Sequence, residues 1–284
     1  MTSTQSLSDL PSVGVWRAVG SQHPMHMVTA SFPGAPGLVS DMWCFEATDL
    51  HCTGGERLSG GHVAMRHAWD GHKEILVTTA LPAAPDAVEI QARLESPDGE
   101  PVPCEGQEYP DLNICWQVLR APMFASWPDP YPEFVSRCFV FTDDGPTFLD
   151  KTPRLNIPVR SADDPYNNPP WVQTYLPVWQ PYREAQPEAW AANSPARYTY
   201  PIIGIVSRDR KYLAAIATEG NTNVCQAWHD CMHNNALWQC DESTGTQIWR
   251  WRLYMMPNDP EVLLARVGED MPRALTLQEG RVPA

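Results

Sequence analysis

The chain has 284 residues, a formal net charge of −14 and an isoelectric point near 4.9. That balance argues against non-specific nucleic-acid binding, which needs a basic surface, and against docking on an anionic membrane. Its 29 prolines are incompatible with long helices, because each interior proline costs a helix about 3 kcal/mol. No run of about 18 apolar residues occurs, so no transmembrane helix is expected. The start, MTSTQSLSD, lacks the basic and apolar regions of a signal peptide, and the expected compartment is the cytoplasm.

Residues 1–40 read as loop, with a turn at Gly34-Ala-Pro-Gly37. From His62 to Trp69 apolar and polar residues alternate, Asp70-Gly71 turns, and Glu74–Ala80 resumes the pattern, which is a hairpin signal. Ala87–Glu95 is a period-two strand with Val88, Ile90, Ala92 and Leu94 on one face and Glu89, Gln91, Arg93 and Glu95 on the other. Ser96-Pro-Asp-Gly99 turns. Strands are expected at 112–119, 134–142 and 146–155, with Asp143-Asp-Gly145 turning between the last two. Residues 158–200 read as a long aromatic loop, which in a compact domain either serves a function or covers a core. Further strands follow at 200–207, 212–218 and 247–256. Asn258 is placed to cap one helix running to about Val267 and stopping at Gly268. Many short strands and one terminal helix predict an all-β fold: a single-domain antiparallel β-sandwich, supersandwich-like, with a short C-terminal helix.

The densest chemistry is in Cys225-Gln-Ala-Trp-His229-Asp230-Cys231-Met-His233. His229 and His233 are four apart and share a face on a helix or a strand. Three readings stay open. Cys225, Cys231 or Cys240 with either histidine forms a structural zinc site; His229 and His233, with Asp230 behind them or absent, form a catalytic metal or acid–base site; or the segment is packing. His67 is the preferred pocket residue of a second set. Its odd separation from His62 puts those two on opposite strand faces. Arg137, inside the apolar run 134–141, needs a carboxylate, from Glu133, from Asp111 or from a substrate. Most of the eight cysteines are expected to be reduced; in an exported protein Cys44–Cys52 and Cys231–Cys240 are the short-range disulfide pairs. The signatures of serine hydrolases, P-loop nucleotide hydrolases, Rossmann dehydrogenases and zincins are absent.

The histidine-bearing strand Gly61–Trp69, the acidic strand Val88–Glu95 (VEIQARLE) and the late Cys/His segment followed by Trp249–Met256 together resemble carbohydrate-active β-sandwich proteins of the galactose-mutarotase-like type. A similar late C-x-H segment occurs in uncharacterised bacterial sandwich proteins. The resemblance covers roughly residues 60–270. It implies a saccharide ligand and does not specify the reaction. The expected function is a carbohydrate lyase, isomerase or hydrolase with His229, His233 and His67 as catalytic groups. One divalent metal, zinc first, is expected on His229, His233 and Cys225. Arg137, Asn168, Trp171, Trp179 and Asn235 would bind the sugar. The alternative is a non-catalytic saccharide-binding or self-assembling sandwich. Trp16, Trp43, Trp127, Trp179 and Trp190 lie in proline-rich surroundings, and their exposure would favour a homo-oligomer, a two-fold dimer first.

Overall fold

Alternation of apolar and polar side chains in most segments produces strands with one face for a core and one for a different partner. The computed structural model describes residues 10–17, 26–33, 39–45, 50–104, 111–117, 123–124, 132–157, 161, 163, 172–185, 189, 191–226 and 231–275. The strands are β1 (Ser12–Arg17), β2 (His26–Ser31), β3 (Val39–Phe45), β4 (Leu50–Arg57), β5 (Val63–Trp69), β6 (Ile75–Ala84), β7 (Ala87–Glu95), β8 (Leu112–Gln117), β9 (Cys138–Thr142) and β10 (Gly145–Phe148). They continue as β11 (Gln173–Pro177), β12 (Ala192–Tyr198), β13 (Tyr200–Val206), β14 (Tyr212–Thr218), β15 (Asn221–Gln226), β16 (Cys231–Ala236), β17 (Gln239–Asp241) and β18 (Thr246–Pro257). Three short helices are α1 (Pro132–Val135), α2 (Pro260–Asp270) and α3 (Pro272–Leu275). None is long and apolar enough to cross a membrane.

An eight-stranded sheet runs β1-β2-β3-β8-β16-β15-β11-β12. A ten-stranded sheet runs β10-β9-β13-β14-β18-β7-β6-β5-β4, with β17 on β18. Pairing is antiparallel except between β11 and β12. The two sheets share one core. Leu112, Ile114, Trp116, Val224 and Met232 from the first meet Val88, Ile90, Ala92, Leu94, Trp249 and Trp251 from the second. The all-β sandwich is therefore as expected, and β7 presents the expected face inwards. A buried polar chain also bridges the sheets: Tyr198 donates to Asn221 (2.7 Å), Asn221 to Asn234 Oδ1 (2.7 Å) and Asn234 to the Pro201 carbonyl (3.0 Å).

The far face of the ten-stranded sheet is roofed by α2 and α3, whose Leu263, Val267 and Ala274 pack with Phe139, Phe141, Leu213 and Tyr254. Asp259, not Asn258, caps α2, accepting from the amides of Glu261 and Val262 at 3.1 Å each. Gly268 does not stop the helix. It lies inside α2, where a Cβ would come 2.7 Å from Leu275 Cδ1, so it admits α3.

Other expectations are corrected. The 1–40 segment contains β1, β2 and the start of β3, and 158–200 contains β11 and β12. Pro195 masked β12, which lies at a sheet edge where a missing N–H is tolerated. Residues 132–135 form α1 before β9 begins, and a 3-10 turn at Leu149–Lys151 ends the strand expected to reach residue 155. Among the described residues a disulfide joins Cys104 to Cys240, across 136 residues, in place of the expected Cys231–Cys240 pair; the side chain of Cys44, and with it the Cys44–Cys52 pair, lies outside the described residues. Val102 pairs with Gln247, and Pro103 bridges Thr246 in the β17–β18 hairpin, so backbone pairing brings the two cysteines together.

Candidate functional site

The outer face of the eight-stranded sheet differs in composition from its inner face. On β8 the residues Leu112, Ile114 and Trp116 enter the core, which turns Asn113 and Cys115 outwards. On β16, Met232 and Ala236 enter the core and turn Cys231, His233 and Asn235 outwards. Register then aligns the strands. Asn193 pairs with Thr174, Thr174 with Cys225, Cys225 with His233, His233 with Cys115, and Cys115 with Cys44. One continuous row therefore crosses β12, β11, β15, β16, β8 and β3. A second row beside it is Asn223, Asn235 and Asn113.

Within the first row, the ligand atoms of Cys115, Cys231 and His233 all lie within 4.8 Å of one another. His233 Nε2 is 3.3 Å from Cys231 Sγ, and His233 Nδ1 is 3.1 Å from Asn113 Oδ1. A carboxamide oxygen only accepts, so Nδ1 carries the proton and Nε2 offers its lone pair to the sulfurs. This is how an outer carbonyl orients a metal-binding imidazole. Zinc–sulfur bonds of about 2.3 Å and zinc–nitrogen bonds of about 2.0 Å put tetrahedral neighbours roughly 3.5–3.8 Å apart, so small side-chain rotations would close the cluster on an ion. The three residues could hold a metal ion.

Thiol, imidazole and carboxamide in sequence also match a cysteine nucleophile with its base and orienting group. Cys231 and Cys115 are 0% exposed and His233 is 1% exposed, so the cluster is enclosed, with a second thiol beside the imidazole.

The asparagine row is half-buried. Asp111 Oδ2 accepts from Thr222 and, at 3.2 Å, from Asn235 Nδ2. At the β11–β12 end, a cavity of about 310 Å³ is lined by Thr174, Asn193, Arg183, Glu184 and three alanines. Burial, and then the Glu184 carboxylate, raise the Tyr182 phenol beside it.

The expected site residues divide. His233 and Asn235 share the outer face. Cys225 is in register with His233 but outside the three-ligand cluster, and packs against Val172 and Ala191. The sulfurs of the cluster are instead Cys115, supplied by a neighbouring strand, and Cys231. His67 lies in β5 of the other sheet, on the face carrying core residues Val63, Met65 and Trp69, so it does not join His233. Arg137 is 2% exposed, pairs with Glu133 at 2.7 Å and donates to the Phe124 and Val206 carbonyls; it is an internal ion pair, not a sugar ligand. Trp179 is half-buried. His229, Asn168 and Trp171 lie outside the described residues, as do the side chains of Trp16, Trp43, Trp127 and Trp190.

Sequence reading did not single out Cys115, Asn113, Thr174, Asn193, Arg183 or Glu184. Asn113 is 120 residues from His233, and no local pattern links them. No family model matches the chain, and no curated protein matches it.

Proposed function

We propose that the protein is a saccharide-binding β-sandwich carrying one structural zinc ion at Cys115, Cys231 and His233. The observation that carries the metal is the convergence of two thiols on an imidazole whose far nitrogen is pinned by Asn113. Sulfur with imidazole selects a thiophilic ion over calcium or magnesium. Complete burial favours a structural ion over a catalytic one, and a closed tetrahedral site then needs one ligand beyond these three. The separation of His67 from His233 weakens the enzyme reading and favours recognition without turnover. The saccharide half is supported by the resemblance of residues 60–270 and by the row Asn113, Asn235 and Asn223, whose carboxamides match hydroxyl groups as donors and acceptors. The Cys104–Cys240 disulfide favours an oxidising compartment over the cytoplasm.

The test is elemental analysis of the purified chain with binding and turnover assays on a saccharide panel. One zinc per chain, lost in Cys115→Ser and His233→Ala, is expected. A chain that takes up no zinc at neutral pH overturns the metal half. Saccharide turnover that disappears in His233→Ala overturns the non-catalytic half.

A further inference from the structure

We propose that the cavity over β11 and β12 is a subsite for a uronic acid unit, the carboxylate-bearing sugar of an acidic saccharide. The inference rests on the saccharide reading and assigns its location and ligand class.

The cavity, about 310 Å³, is at the low end of small-molecule sites, which run roughly 300–1,000 Å³, and suits a single sugar ring. Its space comes from Ala185, Ala189 and Ala191, where larger side chains would fill the volume. Its polar groups converge from two directions. Thr174 and Asn193 are register partners on adjacent strands, so the sheet itself sets their spacing. Arg183 and Glu184 come from the segment that crosses above them.

That segment is tied down. Asn193 Nδ2 donates to the Arg183 carbonyl at 2.9 Å, and Tyr182 Oη donates to the Asn193 carbonyl at 3.4 Å. Gln180 Nε2 donates to the Thr222 carbonyl at 3.1 Å, anchoring the segment's start to β15. The wall is thus hydrogen-bonded to the sheet it faces.

Among the described residues, Arg183 forms no ion pair, although Glu184 follows it in the chain. On a protein of net charge −14, an anionic ligand requires a local cation, and Arg183 supplies a planar fork matched to a carboxylate. The Glu184 carboxylate offers acceptor oxygens, which suits sugar hydroxyls and opposes a ligand carrying a second negative charge nearby. Asn193 Oδ1 and Thr174 Oγ1 add neutral partners. The exposed ring of Tyr182, 42% accessible, adjoins Arg183 at the rim and offers a surface for the apolar face of a pyranose. One cation, one acceptor-only anion, neutral hydrogen-bonding groups and an aromatic rim fit a monocarboxylate with several hydroxyls better than a phosphate or a neutral hydrocarbon.

The test is calorimetric or NMR titration of the zinc-loaded full chain with D-galacturonate, D-glucuronate, D-galactose, D-glucose and acetate. A uronate is expected to bind better than its neutral counterpart and better than acetate. Arg183→Gln, at an exposed position, should weaken the uronate roughly tenfold or more and the neutral sugar far less. Ala185→Leu, which fills the cavity, should weaken both. Thermal unfolding of each variant, matching that of the parent chain, excludes misfolding as the cause. Uronate binding unaffected by both variants overturns the cavity assignment and leaves the saccharide reading standing. Acetate binding as tightly as the uronate, or neutral sugars binding better, overturns the uronic acid assignment. Failure of every sugar to bind overturns the saccharide reading itself, and this inference with it, while zinc content is unaffected.

Discussion

Replacing Asn113 by alanine isolates the positioning of the imidazole from its coordination. Asn113 accepts the 3.1 Å bond from His233 Nδ1, and lies on the neighbouring strand in the adjoining row. His233 is 1% exposed, so the N–H left behind has little water to meet. Orphaning a buried donor costs about 1–3 kcal/mol. In the metal-free chain this should lower the midpoint of thermal unfolding by roughly 2–5 °C. In the zinc-bound chain the imidazole loses its fixed tautomer and orientation. Loss of such an outer partner weakens a metal roughly 10–100-fold, or about 1.4–2.8 kcal/mol. Competition against a chromophoric chelator measures this directly. Asn113→Asp keeps an acceptor and should restore affinity. Asn223→Ala removes a carboxamide from the same row without touching His233 and should leave affinity unchanged. A folded Asn113→Ala chain with parental zinc affinity would refute the assignment of Nε2 to the metal.

Three further outcomes are expected. Gly204→Ala should destabilise by about 1–3 kcal/mol in denaturant titration, because its Cβ would come 2.6 Å from Phe139 Cζ and 3.0 Å from the Ala214 carbonyl; parental stability would mean that β9 and β14 yield easily. Burial pushes the Tyr175 phenol from 10.0 up to about 12, and burial raises Tyr198 and Tyr254 as well. Folding therefore holds protons that the unfolded chain releases, so this contribution is intact below about pH 10 and is lost as pH rises to about 12. Tyr175 accounts for roughly 3 kcal/mol of that loss, to be followed by tyrosinate absorbance alongside unfolding. Replacing Cys104 and Cys240 together by serine should cost about 3–5 kcal/mol, because the bond closes a loop across 136 residues; an unchanged denaturation midpoint would show that the unfolded chain is not constrained by it.

The sequence specified strands well where periodicity was strong and turns were marked. β5, β6 and β7 follow from alternation and from Asp70-Gly71, with Gly71 at φ 82°. β1 and β12 escaped notice because Gly14 and Pro195 interrupt short runs at a sheet edge, and β2 because it is a six-residue run between Pro24 and Pro33. The chemistry was half legible. His233 and Cys231 stand out through residue type alone, whereas Cys115 and Asn113 become relevant only through cross-strand register, which a single sequence does not display. Spacing also misled: Cys225 and His233 are eight apart along the chain and directly opposed in register, yet the sulfur 3.3 Å from the imidazole belongs to Cys231 on its own strand. Arg137 was legible as needing a partner, and Glu133, four residues earlier, satisfies it across a turn of α1.

The alignment of His233 with Cys115 also bears on how the chain reaches its final pairing. Side chains alternate across a strand, so a slip of one residue between β8 and β16 would turn Cys115 or His233 into the core and bring Leu112, Ile114 or Met232 out. An ion requiring both residues at once can bind only the correct alignment. The contact also joins segments more than a hundred residues apart, the kind of pairing that loop-closure entropy makes slow. A thiophilic ion at this point would act as a proofreader of folding, binding to the one register that encloses the core and withholding its stabilisation from every neighbouring one.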